Sequence, residues 1–198
     1  MLKVAVILGS TRPGRNGEAV AQWVYETAKK RRNDAEFEYV DIKDFDLPLL
    51  DEPVPPSQGQ YNKDHTKTWS AKIESCDAFI FVTPEYNHGI PGALENAVDF
   101  LYLEWNNKAA GFVSYGSAGG VRSVEHLRLV MAELQIADVR AQVSLSLFTD
   151  FENFTKFKPA AHHEKSFNDM LDQVIAWGIA LKALRTKTSR IFSSSGAS

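Results

Sequence analysis

The segment Gly9-Ser10-Thr11-Arg12-Pro13-Gly14-Arg15-Asn16-Gly17 runs from an apolar stretch into one with helical spacing. A strand that turns into a helix there presents free backbone N–H groups and the positive end of a helix dipole, which together attract an anion. Ser10, Thr11 and Asn16 add short-range donors, and either Arg12 or Arg15 adds a cationic fork suited to phosphate. Two common nucleotide sites fail on named residues. Gly9 and Gly14 have the spacing of a nucleotide P-loop, but Arg15 and Asn16 stand where its lysine and magnesium-binding hydroxyl belong. Thr11 occupies the second glycine position of a dinucleotide loop, where a side chain crowds the pyrophosphate. A terminal monophosphate fits what remains.

A second segment, Thr83-Pro84-Glu85-Tyr86-Asn87-His88-Gly89-Ile90-Pro91-Gly92, carries an aromatic ring, an amide and a carboxylate on a turn-rich backbone. Such a loop can follow the edge of a flat heterocycle, with main-chain groups meeting its polar atoms. The alternative is that Glu85, Tyr86 and Asn87 only organise the loop and cap the next helix. A third, Tyr115-Gly116-Ser117-Ala118-Gly119-Gly120, lets backbone approach a ligand closely, or is a plain strand-to-helix turn.

Other chemistries fit worse. A nucleophile elbow needs glycine two residues before its serine, and Tyr115 stands there ahead of Ser117. His162 and His163 are adjacent, so they diverge on a helix or strand, and no carboxylate spacing completes a metal site; they read as solvated cap residues. His65 and His126 fall in helical stretches as structural or surface residues, and Cys76 reads as a small core residue. No residue is nominated as a catalytic acid, base or metal ligand.

The elements that must position the three loops alternate along the chain. Strands are expected at Leu2–Leu8, Phe37–Ile42, Ala78–Val82, Ala109–Tyr115 and Val139–Leu147, the first an unbroken apolar run suited to burial on both faces. Helices are expected at Asn16–Arg32, Asp64–Ser75, Pro91–Leu103, Gly120–Leu134 and Glu164–Arg185. The proline-rich Asp51–Gln60 is a loop, and the Ser/Gly string Ser193–Ser198 a disordered tail. Five alternations imply an α/β fold, a parallel sheet covered by helices on both faces. Its ligands sit at the carboxyl ends of the strands, where all three loops lie. Residues 1–190 form a single domain, with 191–198 outside it.

The chain has 198 residues, 44% hydrophobic and 24% charged, the proportions of one globular domain. A net charge of −3 gives no field to gather nucleic acid or an anionic membrane. No apolar run approaches the roughly 18 residues of a membrane span. The short apolar N-terminal run leads into a Gly/Ser/Arg-rich stretch rather than a cleavage site, so it reads as a strand. One cysteine excludes an internal disulfide and points to a reducing, cytoplasmic compartment.

Taken in order, Gly-Ser-Thr-Arg-Pro-Gly-Arg-Asn-Gly, Pro-Glu-Tyr-Asn-His-Gly-Ile-Pro-Gly-Ala-Leu-Glu-Asn-Ala-Val-Asp and Tyr-Gly-Ser-Ala-Gly-Gly-Val-Arg resemble the NAD(P)H-dependent FMN reductases of the flavodoxin-like superfamily. The likeness runs from Leu2 to about Leu134. It implies a three-layer α/β/α sandwich with a five-stranded parallel sheet in order 2-1-3-4-5, and bound FMN. It also implies ping-pong two-electron transfer from NADPH or NADH to quinones, azo compounds, metal oxyanions or free flavin. Carried over by position, Ser10, Arg12, Asn16 and Gly17 hold the phosphate. Pro84, Glu85, Tyr86 and Asn87 line the isoalloxazine, and Tyr115 and Gly116 complete the pocket. Asn16 stands where many relatives have serine, and His88 occupies a variable position. The cofactor carries the hydride chemistry, and the protein supplies orientation and electrostatics.

The same resemblance implies a homodimer or homotetramer around the helix that ends in Phe100, Leu101, Tyr102, Leu103 and Trp105, an apolar cluster a monomer would expose. Phe148, Phe151, Phe154 and Phe157 recur every third residue, and either pack on the chain's own core or reach another subunit and wall the flavin. Two other readings of the fold remain: a flavin-binding electron carrier without a small-molecule reductase activity, and a flavin-less binding module.

Overall fold

The computed structural model describes residues 1–194, with side chains through Arg185. Five parallel strands, β1 (Leu2–Leu8), β2 (Ala35–Asp41), β3 (Ala78–Pro84), β4 (Ala109–Gly116) and β5 (Ala137–Ser146), lie in the order β2-β1-β3-β4-β5. The helices are α1 (Gly17–Arg31), α2 (Asp64–Glu74), α3 (Gly92–Asp99), α4 (Val121–Glu133) and α5 (His162–Ser194). The expected order is therefore present, and so is the expected sandwich. Residues alternate between two cores because successive strand side chains point to opposite faces. Val4, Val6 and Leu8 pack with α1 and α5, while Ala5 and Ile7 pack with α2, α3 and α4. Strand order reverses between β1 and β3, and the cleft beyond their carboxyl ends is where such sheets take ligands.

Several local expectations change. A short hairpin, β6 (Phe151–Glu152) and β7 (Lys156–Phe157), follows β5. Its strands are too short to show a period. The Asp51–Gln60 loop contains a 3-10 turn at Pro56–Gln58. Helix α3 stops at Asp99, and Phe100, Leu101 and Trp105 turn inward to complete full burial in the core shared with α2. Trp105 Nε1 donates to the Val98 carbonyl at 3.2 Å, so the apolar cluster expected at the surface belongs to the chain's own interior. Leu103 remains exposed. Helix α5 runs to Ser194; of the expected tail, residues 195–198 lie outside the described residues.

Candidate active site

The first loop leaves β1 at Gly9, whose N–H donates to the Val82 carbonyl at 2.9 Å, anchoring it to β3. Ser10 is buried, and its hydroxyl lies 3.0 Å from that of Tyr86 in the second loop. Asn16 is the residue before α1, yet its side chain does not cap the helix; Nδ2 donates to the Phe154 carbonyl at 2.7 Å. The first-turn amides of α1 are thus left without a side-chain cap, a free set of donors with the dipole behind them.

Tyr115, at the end of β4, reaches under this helix start. A Cβ on Gly17 would stand 2.5 Å from the Tyr115 hydroxyl, so only glycine admits the phenol. The ring is buried and, among the described residues, its oxygen makes no well-formed hydrogen bond, although the Gly17 amide lies close enough to act on it. Burial pushes the phenol's pKa up, so it stays a neutral donor at physiological pH.

The two arginines separate. Arg15 is buried and its guanidinium grips the Asp41 carboxylate at the end of β2, with Nη1 3.1 Å from Oδ1 and Nη2 on Oδ2. Nε donates to Glu18 at 3.0 Å, and Nη1 reaches the Ser10 carbonyl. Arg15 is therefore spent on the loop itself and is not available as the phosphate fork. Arg12 is exposed, touches only the Pro13 and Gly14 carbonyls at 3.4 and 3.3 Å, and among the described residues pairs with no carboxylate.

In the second loop Tyr86 and Gly89 exchange backbone hydrogen bonds of 3.1 and 2.9 Å around Asn87 and His88, both left-handed at φ 51° and 68°. This is the two-residue turn that matches strand twist, with histidine taking a conformation that glycine usually takes. Tyr86 and Asn87 are exposed along its edge, beside buried Pro84. Glu85 points elsewhere. Its carboxylate accepts from Arg122 Nε at 2.7 Å and from the Arg122 amide at 3.1 Å, at the start of α4. Burial alone would raise the Glu85 carboxyl, but Arg122 outweighs it and holds the group below the usual carboxylate range. The Glu85 N–H donates to the Tyr115 carbonyl at 3.1 Å, joining the second loop to the third.

The third loop closes on Gly116, whose carbonyl accepts from Gly119 at 3.1 Å and from Leu147 at 3.0 Å. Gly120 has φ 72°, and a Cβ there would come within 2.8 Å of Ser114 Cβ and the Tyr115 amide. All three loops thus meet at one rim. Ser10, Gly17, Tyr86 and Tyr115 touch directly across them, whereas Asn16 and Glu85 turn to neighbouring elements. Asp41, Arg122 and Phe154 order the site without a sequence signal, because each pairs over a long separation.

The residues present fit a phosphate monoester on a flat ring. The uncapped start of α1 and the neutral Tyr115 phenol lie at one end, within the field of an Arg12 that pairs with no carboxylate among the described residues, and Tyr86 is exposed on the second loop. A parallel sheet in this order, with a rim of loops at its carboxyl ends, defines the flavodoxin-like fold class. Comparison with known proteins narrows the class. Residues 2–150 match the NADPH-dependent FMN reductase family. Similar proteins include the NAD(P)H-dependent FMN reductase ntnL of a Nectria species, 43% identical over 76% of this chain and 79% of its own. An NAD(P)H-dependent FMN reductase of Schizosaccharomyces pombe is 41% identical over 75% of this chain and 74% of its own. Among solved structures, the NAD(P)H:(acceptor) oxidoreductase FerB of Paracoccus denitrificans has a TM-score of 0.66 at 18% identity, covering 92% of this chain and 98% of its own. The chain belongs to the NADPH-dependent FMN reductase family, an FMN-dependent NAD(P)H oxidoreductase.

Proposed function

We propose that this enzyme passes two electrons from NAD(P)H to quinones, free flavin, azo compounds or similar acceptors, with FMN held by the three-loop rim. Proteins named quinone reductase in Pseudomonas putida and Escherichia coli, each 31% identical to this chain, support the quinone class. The observation that carries the reading is the buried Tyr115 hydroxyl, without a well-formed hydrogen bond among the described residues, beneath the uncapped start of α1 and within the field of Arg12. Bound FMN supplies the hydride-accepting and hydride-donating chemistry.

The chain's own part is to bind, orient and leave one face open. The α1 amides, Arg12 and Tyr115 take the phosphate, where charge-assisted bonds are strongest. Gly17 gives the phenol its place, and Ser10 joins the phosphate end to Tyr86. Pro84, the Glu85 main chain, Tyr86, Asn87 and Gly116 line the ring, fixed from behind by Glu85 and Arg122. Asn16 contributes its amide N–H to the same end while its side chain ties down the hairpin. No side chain is assigned as acid or base. Donor and acceptor use the same open face in turn, which gives ping-pong kinetics.

Self-association as a homodimer or homotetramer belongs to the same reading, supported by exposed Val121 and Leu129 on α4 and exposed Leu103. A cytoplasmic location is supported by a single, buried thiol at Cys76. Among the described residues no helix is long and apolar enough to cross a membrane.

The test is an anaerobic absorbance titration of FMN-loaded protein with NADPH, then 1,4-naphthoquinone. Bleaching followed by stoichiometric return of colour is expected. Bound flavin that NADPH does not bleach would make the protein an electron carrier instead.

A further inference from the structure

The four phenylalanines beyond β5 divide into two pairs. Phe151 and Phe157 pack at a tilt, ring centroids 5.2 Å apart, in the α1/α5 core, against Tyr115 and Trp23 respectively. Phe148 and Phe154 face outward, 67% and 56% exposed, yet touch each other edge to face at 5.6 Å. Two large exposed rings in mutual contact are an unusual surface for water.

Their anchors show where the pair stands. Phe148 directly follows Leu147, whose amide is bonded to Gly116 of the third loop at 3.0 Å. Phe154 is bonded through its carbonyl to Asn16 of the first loop at 2.7 Å. The segment therefore spans two of the three loops. Asn153 and Phe154 hold this tip in left-handed conformations, φ 51° and 61°, which a bulky aromatic rarely adopts. Asp150 locks the base, accepting from the Ser146 and Ala160 amides at 2.9 and 3.0 Å and standing 2.9 Å from His163. A cavity of about 700 Å³ opens beside Phe148, with Phe151, Pro159, Thr149 and Lys158 in its lining. The family match ends at residue 150, so the hairpin lies outside it.

We infer that Phe148 and Phe154 form an aromatic wall of the acceptor site that selects flat, apolar acceptors such as naphthoquinones. The inference rests on the proposed reductase reading. Edge-to-face ring pairs accept a further planar ring readily, and a rigid anchored strap presents them without an ordering cost at binding.

The experiment compares the wild-type holoenzyme with F148A/F154A and F148Y/F154Y. Calorimetric binding of 1,4-naphthoquinone to the oxidised holoenzyme, without NADPH, is measured beside KM for naphthoquinone and for ferricyanide. The alanine pair is expected to weaken naphthoquinone binding and raise its KM about tenfold, with KM for ferricyanide unchanged, and the tyrosine pair to restore both. Unchanged naphthoquinone binding in a folded alanine variant overturns the inference, as does an equal change for ferricyanide. A wild-type oligomer that the alanine pair converts to monomer also overturns it, because the patch is then a contact between copies. A wild type that binds naphthoquinone through these rings but is not reduced by NADPH refutes the reductase reading and leaves the binding site standing.

Discussion

Arg15 and Asp41, 26 residues apart, form a two-pronged ion pair that joins the first loop to the end of β2, with only 3% and 12% of their side chains exposed. The pair gives the loop its shape while Arg12 nearby pairs with no carboxylate among the described residues, so two arginines in one motif perform separable tasks. Removing one partner of a buried pair strands the other charge at a cost of about 3–5 kcal/mol.

Arg15→Ala is therefore expected to lower the stability of the FMN-free protein by about 3 kcal/mol, read from urea unfolding. Arg12→Ala should leave that stability unchanged and weaken FMN binding by about 1.5–3 kcal/mol, the scale of a lost charge-assisted hydrogen bond. Equal effects of the two variants on FMN binding, with no difference in apoprotein stability, would contradict this division.

Tyr115→Phe should show opposite signs in two measurements. An unpartnered buried hydroxyl costs about 1–3 kcal/mol, so its removal should stabilise the FMN-free protein within that range. The same change deletes a donor to the phosphate and should weaken FMN several-fold. Loss of stability in the apoprotein would mean that the phenol already has a partner there.

The sheet and its rim were legible because their signals are local. Val4, Val6 and Leu8 against Ala5 and Ile7 announce a strand buried on both faces, and the glycines of the three loops announce turns at its carboxyl end. The pairings that finish the site are not local. Glu85 meets Arg122 across 37 positions and Asn16 meets Phe154 across 138, and neither side chain shows in its own segment where it will point. Phe100, Leu101 and Trp105 look like a sticky surface until the chain turns after Asp99 and folds them under α2. His163, expected to be solvated, is buried because Asp150 gives it a partner. Phe148 to Phe157 has a period of three, which matches neither a strand nor a helix; the hairpin sends alternate members of that series in and out.

Lys108 is fully buried, with Nζ donating to the Ile73 and Glu74 carbonyls at 2.8 and 3.2 Å, closing the end of α2. Burial drives its pKa down to about 8 from 10.5. Below pH 8 the ammonium is charged in both the folded and unfolded chain. Between pH 8 and 10.5 the unfolded chain binds the proton and the folded one does not, so this group's contribution to stability rises with pH there. The total is at most roughly 3 kcal/mol. Stability of wild type relative to Lys108→Met should increase across that window; a flat difference curve would place the amine near its ordinary value.

His163 works in the acid direction at the base of the aromatic strap. Burial lowers its pKa, and the Asp150 carboxylate only partly offsets this, so the folded ring is held neutral below its ordinary titration point. The contribution is complete above about pH 6.5, where folded and released rings are both neutral. As pH falls below that point the released ring takes a proton first, and the closed strap loses stability until the folded ring titrates as well. Amide hydrogen exchange over residues 146–160, corrected for intrinsic rates, should therefore speed up between pH 7.5 and 5.5. In His163→Gln the corrected exchange should be independent of pH over this range. The remainder of the sheet serves as the internal control, and an equal acceleration there would assign the effect to global unfolding rather than to the strap.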